Sequence, residues 1–164
     1  MLYDALEEVY TVINTNFVAD LVALALAKSE TIETTTAIVK RQKADTAIRE
    51  GATLPVLTLY AISGTSQAKN QGQRYSTIVL GSDYVARGTD PVKLAKQAEL
   101  YVEALHKSID RVWPNLEGGA GEGLNSIEFE LADSYDDVLA DGAVRTYEQR
   151  ATVRFPVVDR DVIT

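Results

Sequence analysis

The sequence predicts an α+β domain in which a four-stranded, mainly antiparallel sheet is packed by an N-terminal helix and a long central helix. Three observations carry that expectation. Leu94, Ala98, Tyr101, Val102, Leu105, Ile109, Val112 and Trp113 recur at helical spacing and lay one apolar stripe down about six turns. Residues Ser126 to Leu131 and Arg150 to Val157 alternate polar with apolar, the period of a strand with one buried face. Leu54 to Ile62 and Tyr75 to Val85 hold the β-branched and aromatic residues that suit a pleated surface. So long an apolar stripe cannot rest in water, and an antiparallel sheet is the surface that covers it.

Taken in order, Leu2, Leu6, Val9, Ile13, Phe17, Leu21 and Leu24 repeat at three or four residues, so the first 27 residues read as one long helix or two abutting ones. A bend is expected at Asn14-Thr15-Asn16, whose side chains compete for backbone hydrogen bonds. From Ser29 to Lys43 the threonines at 31, 34, 35 and 36 and the poor periodicity leave helix and strand both open. Arg49-Glu50-Gly51 reads as the end of a short helical turn closed by glycine in the left-handed conformation. Pro55 belongs at the start of a strand or on an edge. Ser63 to Gln73 has no apolar residue larger than alanine and reads as a mobile polar loop at the tip of a long hairpin.

The central helix opens at Asp90-Pro91, where Asp90 can cap the free N–H groups and Pro91 fits the first helical position. Its polar face carries Lys96, Glu99, Glu103, His106, Lys107 and Asp110, with Glu103 and Lys107 spaced to pair, and Pro114 stops it. Leu116 to Gly123 is glycine-rich, but it follows a helix and precedes a strand, whereas a phosphate-cradling loop runs from strand to helix; it reads as a connector. Ile127, Phe129 and Leu131 face one way on the next strand, and Ala151, Val153, Phe155 and Val157 do so on the last. Glu128 and Glu130 would then meet Arg150 and Arg154 across an antiparallel ladder.

Residues 1–164 are the size of a single domain with a real core. The absence of cysteine excludes a disulfide framework, thiolate metal sites and a cysteine nucleophile. The acidic start at Asp4, Glu7 and Glu8 does not fit a secretory signal, and the most apolar window, Phe17 to Ala27, contains Asp20 and is short for a membrane span, so no membrane partner is expected. A net charge of −8 argues against a surface that neutralises nucleic-acid phosphates.

No catalytic, cofactor-binding or metal-binding residues emerge, and the chain does not read as an enzyme. His106, the single histidine, lies on the polar helix face near Asp110 without a nucleophile or pocket implied, and reads as an exposed surface residue. Asp133, Asp136, Asp137 and Asp141 lie between the last two strands, but their spacing is not that of a calcium loop. Tyr135, Val138 and Leu139 in the same loop either dock on a partner or fold back over the sheet edge. Glu128, Glu130 and Glu148 are strand carboxylates on a flat face, and salt bridging to Arg150 and Arg154 accounts for them without glycosidic chemistry.

The succession of N-terminal helix, hairpin from Leu54 to Val85 with a polar tip, Asp90-Pro91 helix and closing strand pair ending Val153-Arg154-Phe155-Pro156-Val157-Val158-Asp159-Arg160-Asp161 resembles the tail terminator and tail-completion (neck) proteins of long-tailed bacteriophages. The resemblance spans most of the chain and is one of architecture, size and texture. It implies a homo-oligomeric, hexameric ring in the virion, assembled in the host cytoplasm, that caps the tail tube protein, ends tail growth and meets the head-tail connector. DNA would pass through its lumen without specific binding. The other reading is a soluble α+β small-molecule-binding or regulatory module, which needs a concave apolar pocket with convergent polar groups.

Overall fold

The computed structural model describes residues 2–34, 38–70, 73–112, 128–136 and 146–162. In chain order these form α1 (Leu2–Ala27), β1 (Ile38–Lys40), α2 (Ala44–Arg49), β2 (Val56–Asn70), β3 (Gln73–Gly88), α3 (Pro91–Val112), β4 (Glu128–Asp136) and β5 (Thr146–Val162). The sheet order is β1-β2-β3-β5-β4. The four long strands are antiparallel throughout, as their patterning predicts. The sheet also has a fifth strand, the short β1, which pairs parallel to β2 over Leu57–Leu59 and lies in the threonine-rich stretch that the sequence left open.

Both long helices lie on one face of the sheet. Asp90 caps α3 as expected, its Oδ1 accepting from the N–H groups of Val92 at 3.0 Å and Lys93 at 3.2 Å. Leu94, Ala98, Tyr101, Val102, Leu105 and Ile109 are buried, and so are Leu100, Ala104, Gln97 and Ser108. The stripe is therefore wider than its sequence period implies, because α3 packs one face on the sheet and another on α1, which lies beside it. Trp113, predicted within this helix, lies outside the described residues.

Helix α1 is continuous, without the expected break. Thr15 Oγ donates to the Thr11 carbonyl at 2.7 Å and Asn16 Nδ2 to the Val12 carbonyl at 2.9 Å, so the side chains bond one turn back along the helix instead of displacing its backbone bonds. Burial of Ile13, Phe17 and Leu21 on the inner face holds the axis through that stretch. Tyr101 joins the layers: its ring stacks on Tyr84 at 4.0 Å between centroids, meets Phe17 at 5.3 Å, and its hydroxyl donates to the Glu33 carbonyl at 2.7 Å.

The core face of the sheet supplies Leu57, Leu59, Ile78, Leu80, Tyr84, Val153 and Phe155. Helix α2 covers part of the other face through a smaller cluster of Ala44, Ala47, Val56 and Val85. Gly51 closes α2 at φ +91°, its N–H donating to Ile48 and that of Ala52 to Ala47, which is the left-handed cap that the sequence predicts.

The segment from Ser63 to Gln73 is not the loop its polarity suggests. β2 continues to Asn70 and β3 starts at Gln73, with Gly64 opposite Ile78 and Ala68 opposite Arg74, so only residues 71–72 of it lie outside the described structure. Backbone pairing, which needs no apolar side chain, carries the hairpin outward. A register shift between Ala61 and Ser63 leaves Ile62 as the extra residue of a bulge where the hairpin leaves the body.

Candidate interaction surfaces

The residues with chemical potential are tied into structural networks. Asp83 on β3 accepts from the Tyr60 hydroxyl at 2.8 Å, the Thr152 hydroxyl at 3.1 Å and the Ala44 backbone N–H at 3.1 Å, and so joins β2, β5 and the start of α2 on the far face of the sheet. Burial and the Asp83 carboxylate together push the Tyr60 hydroxyl well above the ordinary phenol range. Beside it Tyr60 lies over Gly81, its register partner, so closely that a Cβ there would meet the ring at 2.7 Å.

Next to this network Glu148 accepts from Arg87 Nε at 2.8 Å and Arg150 Nε at 2.5 Å, and Arg150 reaches on to Asp45 at 2.7 Å. Burial raises the Glu148 carboxyl, but the hydrogen bonds from Arg150 and Arg87 outweigh it and hold the group below its ordinary value. The bond from Arg150 likewise lowers Asp45. The pairing of Glu148 with Arg150 is as the sequence suggests; Arg87 and Asp45 come from β3 and α2, and only the fold brings them there.

The remaining candidates separate. His106 on α3 is half-buried and not the exposed residue expected, because α3 has two buried faces. Glu103 pairs with Lys28 at the end of α1, not along its own helix. Asp133, Tyr135 and Asp136 are strand residues of β4 and not part of a loop, with Tyr135 opposite Tyr147, while Asp137, Val138, Leu139 and Asp141 lie outside the described residues, as does the glycine-rich connector. Glu128 stands opposite Arg154 in the ladder as predicted, and Glu130 opposite Thr152. Among the described residues no group of three or more His, Cys, Asp or Glu is placed to hold a metal ion. A void between α3 and the sheet, lined by Leu57, Ser82, Tyr84, Tyr101, Leu105 and Val153, holds about 10 Å³, too little for a ligand.

What the fold presents outward is strand edge and helix face. β1 covers β2 only over Leu57–Leu59, and β4 covers β5 only over Thr146–Arg154. Beyond those points β2, β3 and β5 run on together as a three-stranded arm, with Ser63–Asn70 of β2 on one side and Pro156–Val162 of β5 on the other. Both outer strands of the arm lack a sheet neighbour among the described residues, and each presents a row of backbone donors and acceptors. The second outward feature is α1. By length and composition Leu6–Ala27 could cross a membrane, a longer apolar stretch than the Phe17 to Ala27 window suggests, but its inner face is committed to the core through Leu6, Val9, Ile13, Phe17 and Leu21. No protein-family model and no curated protein sequence matches the chain.

Proposed function

We propose that the chain is a structural virion protein of long-tailed bacteriophages, forming a hexameric ring at the end of the tail tube that ends tail growth and joins tail to head connector. The family resemblance supplies the number six and the neighbours. The observation that carries the reading is the arm, with one open edge on β2 and another on β5. A cyclic ring needs two different, mutually fitting patches on each subunit, and opposite edges of one sheet extension meet that need: the β5 edge of one copy can continue onto the β2 edge of the next. The acidic balance of −8 suits a lumen through which DNA slides without adhering. The arm tip and β4 are then the parts that reach tube and connector proteins.

The test is the solution mass of the full chain beside a variant in which residues 65–77 are replaced by a two-glycine turn, which keeps the Gly64–Ile78 pair and the core residue Ile78. The full chain is expected to run as a hexamer, and the variant as a folded, smaller species with unchanged helical circular dichroism. A full chain that is monomeric at every concentration overturns the reading.

A further inference from the structure

The outer face of α1 is apolar, and the ring contact proposed above does not use it. After Thr15 the exposed positions of α1 are Val18, Ala19, Val22, Ala23, Leu26 and Ala27, with no charged or hydrogen-bonding side chain among them. Val18 is 42% exposed, Val22 48% and Leu26 79%. Asp20, the one charge in this stretch, is buried on the inner side and accepts from the Ser108 hydroxyl at 3.2 Å. A helix apolar on every side is normally covered on every side.

The face has relief. Val18, Val22 and Leu26 stand four residues apart as a ridge, and Ala19, Ala23 and Ala27 run beside them as a groove. Rows at this spacing are the ones that interdigitate in the commonest class of helix packing. Ridge and groove on a single face make it self-complementary: a half-turn about an axis through the patch seats each copy's ridge in the other's groove. Charge points to the same occupant. Just past the C-terminal end of this stretch stand two balanced pairs, Lys28 with Glu103 and Lys96 with Glu30, in a chain whose net charge is −8. A strongly basic or acidic partner meets charges there that are already paired, whereas a second copy brings the same apolar face and the same balanced pairs.

We infer that this face is a two-fold contact with a second copy of the chain, α1 packed on α1. The contact is independent of the ring reading, since a ring uses two different patches and this uses one patch twice. The stretch from Val18 to Ala27 is about 15 Å long, so the area buried falls well below the roughly 1,200 Å² of a stable interface. Alone it is a weak, concentration-dependent contact; between two rings it is repeated around the circle and strengthened by avidity.

The experiment compares the full chain with the double variant Val22→Asp/Leu26→Asp by sedimentation over a wide concentration range. At high concentration the unaltered chain is expected to have about twice the variant's mass, as dimer against monomer or paired rings against single rings. Equal masses at every concentration overturn the inference, and equal hexamers do so while leaving the ring reading intact. Because the chain has no cysteine, Ala23→Cys gives a second readout: a short bismaleimide should link it into dimers and leave Glu50→Cys unlinked, and failure to link Ala23→Cys also counts against the contact. Cosedimentation of the unaltered chain, but not the double variant, with neutral phosphatidylcholine vesicles would assign the face to lipid and overturn the proposal.

Discussion

Asp83 is the residue on which the far face of the sheet depends, because three donors from three elements converge on its carboxylate. Asp83→Ala leaves the Tyr60 hydroxyl and the Ala44 N–H without their acceptor in a half-buried setting. The expected loss is about 3 kcal/mol, read as a lower urea midpoint with an unchanged slope. Glu148 makes a pH-dependent contribution. Its folded-state carboxyl titrates below the ordinary value of 4.5, so the stabilisation is complete above that value and is lost as the pH falls through it toward the folded-state pKa. The stability gap between the unaltered chain and Glu148→Gln should therefore be constant near neutrality and close in acid, as followed by urea unfolding at a series of pH values. A gap that widens in acid would contradict the assignment.

At the scale of elements, the α1–α3 pair is centred on Tyr101, which touches α1, β3 and the segment after α1 with one ring and one hydroxyl. Tyr101→Ala is expected to cost about 3 to 5 kcal/mol, whereas Tyr101→Phe keeps the stacking and loses one hydrogen bond of about 1 kcal/mol; thermal unfolding of the two variants measures the difference. The elements legible in the sequence were those whose side chains carry a period. The stripe of α3, the alternation of β5 and the caps at Asp90 and Gly51 are local chemistry, and the structure has them where they were expected. The arm was hidden because Gly64 to Ala68 are held by backbone pairing to β3, which leaves no mark on side-chain polarity. β1 is three residues long and exists by pairing with Leu57–Leu59. The outer face of α1 could have been seen: Val18, Val22 and Leu26 lie about a third of a turn round from Phe17 and Leu21, with Ala19, Ala23 and Ala27 beyond them, a second apolar surface where an amphipathic helix has polar residues.

For the whole molecule, a layer of two long helices sits on one face of the sheet, the far face is tied by polar networks around α2, and the three-stranded arm carries open edges away from the core. Exposed edges are a liability in a solitary domain and are normally blunted, covered or paired. Among the described residues three strands extend together past their neighbours with both outer edges unpaired, a geometry suited to pairing with another chain; under the proposed ring, identical copies would supply the complementary edge. The sequence period could not reveal this, because it belongs to the relative lengths of strands that are distant along the chain. Electron microscopy of the purified full chain tests the account most directly: it predicts closed six-fold rings with the arms at the subunit junctions, and isolated single subunits, or rings whose arms point away from every neighbour, would contradict it.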